Sequence, residues 1–342
     1  MIPYDRTDNK TRDDGNNNIG TWPCAGYMST ASNTSNDGAY LASKRFIDTL
    51  ENLLSMDYPR FTNVEKICIV DPDVTSSAAM VLSEFANDCG RMPVPLIKGS
   101  NIPAWVDDHT CAIVTSYYDD DQTVRCIEEL IRRNTRIVCI SKRGEASQLC
   151  DDEDIQFMEL QDGLTLQEAV GSMVTMISCI LQGSDVCGSK DPMMRSIGFL
   201  KEHIPLPRRT KKELTSIIKN IRGNNVLLIS LSDLRGSSAV WKSYLSATIG
   251  EPIFNTELPE FDHNEIVGWC NENVSAENML AVVIYNYSIH LLDVIVESAT
   301  DVIADSGRNI LMIRVDGSNA IERNLYGIMM SYHIAQYLEG QI

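Results

Sequence analysis

At 342 residues the chain is long enough for two domains of ordinary size, each able to bury its own core. Its 47 acids against 29 bases leave a formal net charge of −18, which disfavours nucleic acid and anionic membrane as partners and gives no whole-molecule steering of an anionic substrate. The amino terminus has no apolar h-region, no run reaches the length of a membrane span, and the ten cysteines include no CxxC pair, so the composition reads as a soluble cytoplasmic protein with thiols packed as small hydrophobes.

Residues 1–38 are rich in Asn, Asp, Ser, Thr and Gly, show neither a helical nor a strand period, and read as a polar arm that Trp22 and Tyr27 could pin onto a neighbouring surface. From Ala39 the pattern changes. Leu41, Phe46, Ile47, Leu50, Leu53 and Leu54 recur at helical spacing and predict an amphipathic helix ending before Pro59. Strands are predicted at 66–70, 94–98, 111–116, 136–141 and 155–160, with helices near 75–88 and 121–133 and a closing helix over 164–182. Strands that are apolar throughout, each followed by a helix, imply a parallel sheet covered on both faces.

The stretch 183–224 holds Gly183, Gly188, Pro192, Pro205 and Pro207 and reads as a connector. It also carries Arg208, Arg209, Lys211 and Lys212, the only positive run in the chain, which reads first as a solvated face and second as a contact for an anionic ligand or acidic neighbour. A second alternating unit follows, with strands at 225–231, 279–285 and 310–315 and helices near 237–249, 288–304 and 319–338. The histidines at 109, 203, 263, 290 and 333 are scattered, so no metal and no cofactor is expected.

One segment stands apart chemically: Leu258 to Trp269, LPEFDHNEIVGW, places His263 among Glu260, Asp262 and Glu265. Carboxylates around an imidazole make an acid/base role near neutral pH available to it. The same residues also read as a solvated loop whose Asp262-His263-Asn264-Glu265 caps a buried helix turn. This string resembles the signature of the bifunctional glucose-6-phosphate/mannose-6-phosphate isomerases of the sugar isomerase (SIS) superfamily, close to FPELNHNEIVGW. The register runs back without a gap to Trp241-Lys242-Ser243, and in outline the resemblance covers residues 39–342. It implies an α/β fold of two tandem SIS domains, each a flavodoxin-like parallel sheet flanked by helices, over 39–185 and 223–342 with a linker at 186–222. It further implies a phosphosugar ligand and a homodimer in which the histidine reaches the neighbouring subunit's site. Carried over residue by residue, it makes His263 catalytic and Thr75 and Ser116 substrate-binding.

Elsewhere the family's motifs are altered. Where the family has a glycine-rich turn close to GMGGSAIGGDLL, this chain reads DPDVTSSAAMVL, so Pro72 removes an amide donor and Asp71 and Asp73 stand where an anion should rest. Against SYSGNTEET it reads SYYDDDQTV: Ser116 and Tyr117 are kept, Tyr118 replaces a serine, and Asp119, Asp120 and Asp121 precede the next helix, where acids also act as caps. The family's arginine in a stretch like GLQPRAALG becomes Gln167, followed by Glu168. The glycine-rich turn of the second domain becomes Ser230-Leu231-Ser232. Sixteen residues before His263, at the family's glutamate, stands Ala247, which cannot move a proton, and Glu251 is the nearest substitute. The family's ring-opening lysine lies in a helix beyond a segment like SYHIAQYLEGQI, and no lysine follows Lys242 here. The favoured expectation is therefore a carbohydrate-derivative-binding homologue with little or no catalysis. The alternatives are an active aldose-ketose isomerase rebuilt around His263 and Glu251, and a structural or regulatory dimer holding a non-phosphate ligand.

Overall fold

A computed structural model describes residues 36–72, 76–250, 252–273, 277–286 and 290–339. The first helix, α1 (Asn36–Leu54), buries Phe46, Ile47 and Leu50 of its predicted stripe but leaves Leu41 exposed. Five parallel strands follow: β1 (Lys66–Asp71), β2 (Leu96–Lys98), β3 (Thr110–Thr115), β4 (Arg136–Ser141) and β5 (Gln156–Glu159). Their order is β2-β1-β3-β4-β5, with Val70 beside Val114 and Val114 beside Cys139. Every residue of β3 is buried, as a central strand covered on both faces requires. The connecting helices are α2 (Ser77–Cys89), α3 (Asp121–Arg132) and α4 (Glu145–Asp152), and α5 (Leu166–Gly183) closes the unit.

The two faces of this sheet differ. Cys68, Val70, Val114, Cys139, Ile127, Leu130 and Cys150 form a separate core on one side. The other side joins one continuous core that runs through α1, α2 and α5 into the second half of the chain. Burial of every residue from Leu166 to Leu181 in α5 follows from this, since that helix has protein on all sides.

The predicted connector is largely helical: α6 (Lys190–Glu202) and α7 (Arg208–Ile221) occupy it. In α7 the buried residues Leu214, Ile217, Ile218 and Ile221 recur at helical spacing, a signal masked in the sequence by flanking prolines and dense positive charge. The second sheet has order β7-β6-β8-β9, all parallel, from β6 (Asn225–Leu231), β7 (Ile253–Leu258), β8 (Met279–Tyr285) and β9 (Asn309–Arg314). Strand β7 escapes sequence reading because it is an edge strand with exposed Phe254 and Asn255, so it carries no continuous apolar run. Around this sheet lie α8 (Arg235–Ile249), the short α9 (Glu260–His263) and α10 (Glu265–Trp269), α11 (His290–Asp305) and α12 (Ala320–Glu339).

The two sheets are held together by helices. Helix α12 packs on α8, α6, α1 and α2, and α2 packs on α8. Trp241 is fully buried and donates its indole N–H to the Gly327 carbonyl at 2.7 Å, so truncating it to Ala would cost about 3–5 kcal/mol. Gly236 lies so close to Val81 and to the Asn324 side chain that a β-carbon there would collide with both. Among the described residues no helix is long and apolar enough to cross a membrane.

Candidate functional site

Open parallel sheets bind ligands beyond the carboxyl ends of the strands, where the strand order reverses. In the first sheet that point lies between β1 and β3. Asp71 ends β1, is fully buried, and accepts a hydrogen bond from the Thr115 hydroxyl at 2.9 Å. Just past β3, the Ser116 amide donates to the Ile140 carbonyl at 3.0 Å, fixing the turn onto β4. The Ser116 hydroxyl oxygen accepts from the Asp119 amide at 3.0 Å and from the Thr123 hydroxyl at 2.9 Å.

The acids that follow cap two helices. Asp120 accepts from the Gln122 and Thr123 amides at 3.1 and 3.0 Å, satisfying the first turn of α3. Asp119 adopts a left-handed φ of 53° and carries its carboxylate to the start of α4, where Ala146 donates its amide at 3.1 Å. Gly144 permits this approach, since a β-carbon there would overlap the Asp119 carboxylate. Burial pushes the Asp119 carboxyl above the usual carboxylate range, against the opposing pull of the Ala146 and Glu145 amides. Tyr117 donates its hydroxyl to the Leu164 carbonyl at 2.8 Å, carries Lys142 Nζ 3.8 Å over its ring, and meets Tyr118 edge-on at 4.9 Å. The helix-start amides that would receive an anion are thus occupied by side chains of the protein itself. A phosphate brought to about 5 Å from such a carboxylate meets a repulsion of about 3 kcal/mol per unit-charge pair at an effective dielectric near 20.

The position of the family's arginine is built into the helix packing. Gln167 is fully buried and donates to the Ser331 hydroxyl at 3.1 Å, joining α5 to α12. Glu168 completes a capping box with Thr165 and pairs with Arg45 of α1. Thr165 in turn lies 3.1 Å from the Tyr332 hydroxyl of α12.

In the second sheet the order reverses between β6 and β8. Here Asp233, just past β6, forms an ion pair with Arg323 of α12 at 2.8 Å, and both side chains are largely buried. Burial pushes the Asp233 carboxyl upward while Arg323 opposes the shift. Asn324 bridges the same region, accepting from the Ser237 amide at 2.8 Å and donating to the Asp233 carbonyl at 2.7 Å. Arg235 pairs across the two halves with Glu84 of α2. Sequence reading missed this Asp233–Arg323 pair, because the partners lie ninety residues apart in unremarkable surroundings.

The segment Leu258–Trp269 is anchored by buried Leu258 and Phe261 and otherwise faces outward. His263, Asn264 and Glu265 are exposed, and burial pushes the Asp262 carboxyl upward while His263 opposes it. The expected cap does not form: Asn264 makes no side-chain cap hydrogen bond, and no residue of α10 is buried. Helix α10 leans on α9 and α11, with Ile266 and Trp269 partly buried against the core and Val267 on its outer side 71% exposed. Arg308 tethers the segment's end by donating to the Trp269 and Asn271 carbonyls at 2.9 and 2.8 Å. Ala247 lies on the exposed face of α8.

Of the three residues expected to form the site, Ser116 is buried in its capping network and His263 is exposed beyond the opposite sheet; among the described residues no hydrogen bond or ion pair joins them. Thr75 lies outside the described residues, as does Glu251, the alternative base. Among the described residues no group of three or more His, Cys, Asp or Glu side chains is placed to hold a metal ion.

Residues 210–339 match the family model described as the bacterial phospho-glucose isomerase C-terminal SIS domain. The bifunctional phosphoglucose/phosphomannose isomerase of Aquifex aeolicus (strain VF5) is 23% identical over 247 residues, 72% of this chain and 75% of that protein. The protein of the same description from Caldicellulosiruptor bescii is 20% identical over 219 residues, 60% of this chain and 63% of that one. Among solved structures, the C-terminal domain of glucosamine-fructose-6-phosphate aminotransferase from Francisella tularensis superposes with a TM-score of 0.66 at 14% identity, covering 91% of this chain and 98% of that one, which bears on the fold.

Proposed function

We propose that this chain, a divergent member of the bifunctional phosphoglucose/phosphomannose isomerase family of the SIS superfamily, is a ligand-binding or regulatory module with little or no isomerase chemistry of its own. The observation that carries this reading is the self-occupied switch point of the first sheet. The Ser116 hydroxyl accepts two hydrogen bonds from its own loop, and Asp120 and Asp119 hold the amides of α3 and α4. An anionic sugar phosphate would have to displace these contacts and accept two carboxylates as neighbours. General-base catalysis is worth about 10²–10⁴-fold, and the base position carries Ala247. The active-enzyme alternative rests on Glu251, which precedes Pro252.

A second reading is a module for an uncharged or cationic ligand, favoured by the two acids and by the half-buried Tyr117–Tyr118 pair beside them. In either case the proposed working unit is a cytoplasmic homodimer of tandem domains, 39–185 and 223–342. The outward face of Leu258–Trp269 would be its interface, since Val267 is exposed and Ile266 and Trp269 are only half covered. A phosphoglucose isomerase assay run beside calorimetric titration with fructose 6-phosphate and with an amino sugar tests the proposal. Turnover on the order of ~10 per second would overturn it. Fructose 6-phosphate binding without turnover would make the module a phosphosugar sensor, and binding of the amino sugar alone would establish the second reading.

A further inference from the structure

The helix α7, first read as part of a connector, presents a stripe of charge that its own chain does not use. Lys211, Lys212 and Lys219 are exposed and, with Thr215 and Ser216, line a shallow open groove. Among the described residues none of these three lysines forms an ion pair, whereas Arg209 on the same helix is held by Glu213 and Asp316 at 3.2 and 3.6 Å. The charges are also placed against the helix's own field. Arg208, Arg209, Lys211 and Lys212 crowd the first turn and a half of α7, no acid stands in that first turn, and the amino end of a helix is its positive pole.

A second helix has the mirror-image fault. Asp151, Asp152, Glu153 and Asp154 run consecutively through the carboxyl end of α4 and past it, all four are exposed, and no base stands in the last turn. That end of a helix is its negative pole, so these acids too are mis-signed for the helix that carries them. Arg143 reaches Asp151 at 3.6 Å, which leaves most of the run uncompensated. Within one chain the two features do not meet: α4 packs on β4, β5 and α3, while α7 packs on β8, β9 and α12 of the other sheet.

We propose that the lysine stripe of α7 docks the acidic run Asp151–Asp154 of a second copy of this chain. Each charge cluster is unfavourable where it stands and favourable against the other, so association relieves both at once. A second copy carries the same net charge of −18, so the contact is a local one, drawing on the four acids set against the stripe rather than on the field of the whole molecule. Residues 1–35 hold four acids against three bases and offer a far weaker complement than the tetrad. This contact is separate from the proposed interface at Leu258–Trp269, which lies past the edge strand β7 around the exposed Val267.

The test is sedimentation of three proteins: the wild type, a Lys211→Glu/Lys212→Glu variant and an Asp151→Lys/Asp152→Lys/Asp154→Lys variant. Salt spans about 0.01 M to about 1 M, over which the screening length falls from about 30 Å to about 3 Å. The wild type is expected to gain mass at low salt and lose that increment at high salt. Each variant alone should lose the low-salt increment at least tenfold in association constant, and an equimolar mixture of the two should regain it, because both contacts are then complementary again. Melting temperatures of the variants should hold or rise, since each removes charges that oppose a helix dipole, and this separates lost docking from lost folding. A salt-independent wild type, or a mixture that fails to associate, would overturn the proposal. Deletion of residues 1–35 should leave the increment unchanged; its loss would assign the groove to that arm instead and sink the proposal equally.

Discussion

The segment Leu258–Trp269 and the loop Ser116–Asp121 invert one another. The first matches the isomerase signature almost letter for letter, yet only Leu258 and Phe261 of it are fully buried: Ile266 and Trp269 lean on the core, but no residue of α10 is buried and its cap is unmade. The second has lost most of its motif, yet nearly every polar group in it is engaged, from the Ser116 hydroxyl to the Asp119 and Asp120 carboxylates. Retained sequence and structural integration are therefore separable. A motif kept with a largely exposed face leaves that face for a contact between molecules, while a motif rewritten with full local support has been absorbed into the fold.

The largest expected effect addresses chemistry. Ala247→Glu should leave isomerase turnover undetectable or at least about 10³-fold below a competent relative, because groups that act together in catalysis are not restored singly. A variant within tenfold of a working enzyme in a coupled assay would show the rewritten loop to be no obstacle. Next comes Gly144→Ala, which drives a β-carbon into the Asp119 carboxylate and should cost about 1–3 kcal/mol in denaturant unfolding. Asp120→Ala removes the α3 cap and should cost about 1 kcal/mol; no measurable loss would mean the loop is less integrated than its hydrogen bonds imply.

Smaller still is a pH effect at Asp119. Its carboxyl is raised by burial, so the folded protein holds the proton to higher pH than the unfolded chain. The penalty for burying its charge is absent below the unfolded value and complete above the folded one. Asp119→Asn should therefore melt higher than the wild type near neutrality, with the difference closing as pH falls through that window. An unchanging gap in a calorimetric pH series would refute the assignment. The smallest effect is expected at His263→Ala, within about 0.5 kcal/mol of wild-type stability because the side chain is exposed. Val267→Asp, by contrast, should leave the melting temperature alone and dissociate the proposed dimer in light scattering.

Much of the fold was legible in the chain. The strands of the first sheet and β6, β8 and β9 of the second are short apolar runs, and their alternation with helical periods is enough to give two parallel sheets. Asp120 also announced the α3 cap, because that cap is a contact between neighbours in sequence, whereas the reach of Asp119 to α4 was not legible. What failed to announce itself had either a diluted period, as in α7 and β7, or a partner far along the chain, as with Asp233 and Arg323 or Arg45 and Glu168.

For the site the division follows the same physical line. Sequence alone determined which chemical groups are present, since the absence of a carboxylate at Ala247 and the charges of Asp119 and Asp120 need no coordinates. Only tertiary structure decided which of those groups are already spent. Whether the Ser116 hydroxyl faces a ligand or its own loop, and whether Asp119 guards a crevice or caps α4, depends on how β3, α3 and α4 pack around one turn. A side chain's partners are set by convergence of distant elements, and no local pattern encodes that convergence.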